Sequence, residues 1–338
     1  MVVQLIVPRP GLADQQASPG RMASRDLPRT AEPACCAAGA ALAAVAVPVA
    51  GTASACTGYD DSPDPLLPLL ARARADAAAA RGLARSSPEA ENLASQVATV
   101  RSAQADALGR EVDRLNRPRP DRTNAPGTTV ADLDALRQRL ADARQQAAAL
   151  VPGLPAYRAG LVGAVAAGCA GAQQLDPALG AGQPGPLGRV STGQLEEPAV
   201  EALQGALAAE HAAVWVYGLV SAFLPDAFGK GLDAGAEAHR DRRSACERVL
   251  TAAGAEPRGP EPAYLPPQPV TDETSAATLV VTAETDAARA WHGVLERTED
   301  TGLRELATQA LVGSATRCTS WRLEAGLEPA AIALPGRG

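Results

Sequence analysis

Glu210, His239 and Glu284 are the residues of this sequence best placed to do chemistry, because each interrupts an apolar helical stripe. In the stretch Pro198–Gly218, Leu203, Leu207, Val214 and Tyr217 recur at about 100° per residue, with Glu210 among them. His239 and Arg243 share a stripe with Leu232, Ala236, Cys246 and Leu250. Glu284 shares one with Ala277, Val281, Ala288, Trp291 and Leu295, and Arg317 lies near the face of Leu303, Leu306 and Ala310. A carboxylate on a core-facing stripe must be paired or must ligate a cation. Two chemistries follow. Glu210, His239 and Glu284 could hold a metal, or they could form a buried salt-bridge network with Arg243 and Arg317 that fixes helix register. The two arginines add positive charge where a cation would sit, which favours the network.

Other chemistry has little support in the sequence. There is no phosphate-binding loop, Gly-x-Ser-x-Gly elbow, HExxH pair or dinucleotide fingerprint. None of the three histidines stands beside a Ser or Cys with an evident orienting acid. His211 on the flank of its helix and His292, turned away from Glu284, read as surface or rim residues, and Trp215, Trp291 and Trp321 as packing residues. A net charge of −7 with interspersed signs, and no basic stripe with aromatics, excludes a nucleic-acid partner. No catalytic residue and no resident cofactor is expected; iron or another divalent metal at Glu210, His239 and Glu284 is the minority reading.

The elements that must position these residues are helices. The chain is Ala-rich with 3% aromatic residues, which suits close helix packing. The fold class expected is all-α, two four-helix bundles in tandem. The first occupies 66–175, with helices at 66–83, 88–116, 129–150 and 156–174. Residues 176–197, rich in Gly and Pro, form the expected linker. The second bundle occupies 198–328, with helices near 198–223, 231–253, 271–298 and 303–326, and residues 329–338 are a tail. A long connection, 255–270, contains six prolines and crosses between the second and third helices of that bundle. Leu161-Val162-Gly163 with Cys169, and Leu311-Val312-Gly313 with Cys318, leave open a duplication of the two halves.

The N-terminus reads as an export signal over 1–55, with Met22 as the expected true start. Arg25 and Arg29 precede an apolar run, 34–49, and small residues lead to Cys56. The Cys after small residues is the pattern of a lipobox, although Ala53 stands where Leu is usual. Lipidation of Cys56 would hold the protein at the outer face of the cell membrane, with 56–65 as a tether. Ordinary cleavage after Ala53-Ser54-Ala55 is the rival, and implies plain secretion. In an oxidising exterior Cys246 and Cys318 are the first choice for a disulfide; three buried free thiols at Cys169, Cys246 and Cys318 are the alternative.

The segments AAEHAAVWVYG (208–218), AHRDRRSA (238–245), TDE (271–273) and CTSWR (318–322) resemble an actinobacterial ferritin-like domain of unknown function. The resemblance spans Pro198–Gly326, and 64–76 with 151–170 resemble the helical half that accompanies it in exported members. It implies a ferritin-like bundle, in which two helices give a carboxylate each and two give Glu-x-x-His. Glu210 and Glu284 match the carboxylates and His239 one histidine. Ala236 replaces its Glu partner, and the fourth helix lacks the pair altogether. The function expected is therefore a binding or interaction module with a degenerate ferritin-like domain. The alternatives are a metal-dependent ferritin-like oxidoreductase and a purely structural envelope protein. Candidate partners are an envelope protein, a small ligand, or a second copy of the chain.

Overall fold

A computed structural model describes residues 3–4, 62–115, 130–182, 184–185, 187 and 193–337. Cys56 and residues 5–61, on which the expected signal segment and lipidation site fall, lie outside the described residues. The chain is all-α. Eight helices run in order among the described residues: α1 Leu67–Ser86, α2 Glu91–Leu115, α3 Leu133–Leu150, α4 Ala156–Gln173, α5 Glu197–Val220, α6 Gly229–Ala252, α7 Glu273–Leu295 and α8 Thr301–Glu324. Two short strands, β1 Val3–Gln4 and β2 Tyr264–Leu265, pair in parallel. No helix of the described residues is long and apolar enough to cross a membrane.

Local chemistry sets the helix ends. Asp132 caps α3 by accepting from Ala135 N at 2.9 Å. Asp272 and Ser275 form a reciprocal capping box at α7, and Asp300 caps α8 by accepting from Leu303 N at 2.7 Å. Ser87 does not start α2: its hydroxyl donates to Glu89 at 2.6 Å, and the helix begins at Glu91.

Helix α1 packs on α2, α3 on α4, α5 on both α6 and α7, and α7 on α8. The two halves meet where α4 packs on α8. Residues 62–338 belong to one compact unit. Its largest apolar cluster draws Leu70, Leu108, Ala147 and Val165 from the first half, and Leu207, Val249, Trp291 and Leu311 from the second. A smaller cluster, with Val216, Tyr217, Val280 and Trp321, closes one end of α5–α8.

The expected linker is packed down. Asp176 caps a short turn, Pro177–Leu179, and Leu179 is fully buried. Gly185 N donates to Gln309 at 2.7 Å. Residues after α8 also return to the body: Gln104 Nε2 donates to the Ala333 carbonyl at 2.9 Å. Ala330 and Ala331 are buried there. Gly168 on α4 lets this strand of chain approach, since a Cβ at that position would collide with the Ala333 carbonyl.

Candidate functional site

Four helices bring their polar residues to one point. Helix α5 supplies Glu210 and Tyr217, α6 supplies His239 and Arg242, α7 supplies Glu284 and Trp291, and α8 supplies Ser314 and Arg317. Glu210, His239 and Glu284 are completely buried. His239 stands between the carboxylates: Nδ1 is 2.5 Å from Glu210 Oε2, and Nε2 is 3.0 Å from Glu284 Oε1. With both carboxylates ionised, both ring nitrogens donate and the ring is the doubly protonated imidazolium. Further donors reach both carboxylates. Trp291 Nε1 donates to Glu210 Oε1 at 2.6 Å. Tyr217 Oη donates to Glu284 Oε1 at 2.7 Å, and Arg317 Nε to the same oxygen at 2.5 Å.

The electrostatics agree with this proton placement. Burial disfavours charge on His239, but the Glu284 and Glu210 carboxylates outweigh it and raise the imidazole above its ordinary value. Burial likewise works against the carboxylates, yet His239 and Arg242 hold Glu210 below its usual range, and Arg317 and His239 do the same for Glu284. Arg242 is buried with its guanidinium 3.9 Å from Glu210 and donating to Ser314 at 2.9 Å. Burial lowers it to about 10. Gly313 makes room for it: a Cβ there would meet the Arg242 guanidinium.

The sequence-derived set comes together with one correction. Arg243 is not part of the network; it turns outward, half-exposed, 3.9 Å from Glu247. Arg242 takes the inner place, because the buried face of α6 runs through Gly235, His239 and Arg242 at helical spacing. His211 and His292 are buried rather than surface residues. Trp291 is not packing alone, since its indole closes the shell around Glu210. Cys246 and Cys318 do not pair: Cys169, Cys246 and Cys318 are free buried thiols.

The donor set does not fit a metal ion. Each ring nitrogen of His239 is already bonded to a carboxylate, and Glu284 already faces two basic groups, His239 and Arg317. Among the described residues, no group of three or more His, Cys, Asp or Glu is arranged to hold one.

A second buried network lies in the first half and escaped the sequence reading. Arg101 donates to Asp76 at 2.8 Å and bonds Gln104, and Arg139 reaches the other Asp76 oxygen at 2.9 Å. Its signal was present: Val97, Arg101, Gln104 and Leu108 follow helical spacing, and all are buried. Asp64 and Arg158 form a further buried pair at 2.7 Å.

Residues 202–338 match the family described as Domain of unknown function (DUF4439). A solved structure of a conserved hypothetical protein from Mycobacterium tuberculosis is similar at 35% identity, over 41% of this chain and 97% of that one, with a TM-score of 0.38. No curated protein matches the chain. The segment that carries Glu210, His239, Glu284 and Arg317 is therefore a DUF4439 domain.

Proposed function

We propose that this chain is an exported helical protein, anchored by lipid on Cys56 at the outer face of the cell membrane, whose DUF4439 domain is a degenerate ferritin-like bundle acting as a binding module rather than an enzyme. The observation that supports this most is the His239 imidazolium held between Glu210 and Glu284. A bundle that used these residues for iron would leave a ring nitrogen and carboxylate lone pairs free for the ion. Here His239, an indole, a phenol and one guanidinium bond the carboxylates, and a second guanidinium, Arg242, stands 3.9 Å from Glu210. The centre locks four helices in register and leaves binding to the outer surface of the domain.

The test is elemental analysis of the purified chain, made without chelator and again after incubation with ferrous iron. The expected result is no stoichiometric metal, and a lower melting temperature for Glu210→Ala. One metal per chain, lost in His239→Ala, overturns the reading in favour of a metal protein.

A further inference from the structure

The residues next to the buried network face the opposite way and line a cleft. Glu210 points inward while His211 lines the cleft, and Arg242 points inward while Arg243 lines it. The cleft holds about 570 Å³ and lies between α5, α6 and the Pro-rich crossover, a size suited to a small ligand or a few units of a polymer.

Its crossover wall is anchored. Gln204 donates to the Glu256 carbonyl at 2.7 Å and accepts from Arg258 N at 3.0 Å. Arg258 pairs with Glu201 at 2.6 Å. The Arg258 carbonyl lies 3.3 Å from His211 Nε2. Farther along, Trp215 and Tyr264 meet at 5.7 Å between ring centroids, joining crossover to helix by aromatic contact. Tyr264 Oη accepts from Glu261 N at 3.1 Å, which fixes the ring.

The lining defines the ligand. Trp215, Tyr264 and two prolines, Pro260 and Pro262, give an apolar wall. The polar groups are planar hydrogen-bonding side chains of both signs: Arg243, Glu247 and Glu261. Arg243 Nε has no hydrogen-bond partner, and its nearest carboxylate, Glu247, is at ion-pair rather than hydrogen-bond distance, 3.9 Å. Burial holds the His211 imidazole below its ordinary value. Its Nε2–H serves the Arg258 carbonyl, and its Nδ1 is left as an acceptor. Two carboxylates oppose an anionic ligand, and Arg243 opposes a cationic one. A pyranose answers both demands, with an apolar face of C–H groups and a rim of hydroxyls that donate to carboxylates and accept from a guanidinium.

We propose that this cleft binds a neutral oligosaccharide segment, stacked on the Trp215–Tyr264 wall and hydrogen-bonded by Arg243 and Glu247. The proposal rests on the reading of the domain as a binding module and names its ligand class. The test is calorimetric titration of the full chain with chitotetraose, maltotetraose, cellotetraose and mannotetraose. At least one is expected to bind saturably, with a Kd that is unchanged between low and high salt because the ligand carries no charge. Trp215→Ala and Glu247→Gln are each expected to weaken that binding at least tenfold. Glu247→Gln should keep the wild-type melting temperature, which separates loss of contact from loss of fold. Binding of none of the four, or equal binding to wild type and both variants, overturns the proposal. So does saturable binding of tetramethylammonium or of a hyaluronan tetrasaccharide in place of the neutral sugars. Metal analysis reads the centre independently. A metal-free chain that binds no sugar overturns the cleft alone, and a stoichiometric metal overturns the binding-module reading whatever the titration gives.

Discussion

His239 donates both ring protons to carboxylates, so the stability of the domain is linked to pH from two sides. The imidazole is raised above its ordinary 6.5, so its contribution is complete below that value and falls away as pH rises through the raised one. Glu210 and Glu284 are held below their ordinary 4.5, so theirs is complete above that value and is lost as pH falls through the lowered ones. The network is thus expected to stabilise most between about pH 4.5 and 6.5. Urea midpoints measured against pH should show a decline on the alkaline side that His239→Gln removes; parallel curves for the two proteins would exclude the imidazolium. Glu284→Gln leaves His239 and Arg317 facing one carboxylate fewer and should cost about 3–5 kcal/mol at neutral pH. Much of this centre was legible in the sequence, because Glu210, His239 and Glu284 each break an apolar stripe. Arg242 was not. The run Arg240-Asp241-Arg242-Arg243 offers three arginines, and a stripe drawn one residue off turns the helix by about 100°.

The eight helices needed only periodicity and breakers to be found; their ends needed side-chain geometry that a sequence does not display. At α8 the cap is a small network. Asp300 accepts from Leu303 N, its own N donates to Thr298 Oγ1 at 3.1 Å, and Arg304 Nε donates to the Thr298 carbonyl at 2.9 Å. Asp300→Ala should lower stability by about 1 kcal/mol, and Asp300→Asn, which keeps an acceptor, should restore most of it. Chemical denaturation of the two variants checks this, and equal loss in both would mean that charge rather than capping holds the turn. The N-terminal network was missed for another reason. Arg in a helix reads as a solvated residue, and the partner of Arg101, Asp76, lies 25 positions away on α1. Pairing across helices is a tertiary fact, invisible to a stripe drawn along one helix.

At the scale of the molecule, α4 and α8 hold the halves together, and the segment after α8 reaches back to the first half at Ala331 and Ala333. The fit at Gly168 decides how closely they lie. Alanine in a helix is favoured over glycine by about 1 kcal/mol. The methyl would here meet a backbone carbonyl, which cannot rotate away, and overpacking costs about 1–3 kcal/mol. Gly168→Ala is therefore expected to lower the melting temperature of the full chain. In a chain ending before Pro329 the same substitution should be neutral or stabilising. An equal loss in both would show that Gly168 answers to some other contact. The shared core was not legible in the sequence, because a Gly- and Pro-rich stretch such as 176–197 reads as a flexible link whether or not Leu179 is buried.

The bond from Gln104 to Ala333 spans 229 positions. A ribosome would finish α1 to α4 long before it made the carbonyl that Gln104 awaits. Until then, Gln104 has only its partners within the first half, among them the Val165 carbonyl at 3.3 Å. This contact of α2 thereby waits on a segment made after α8.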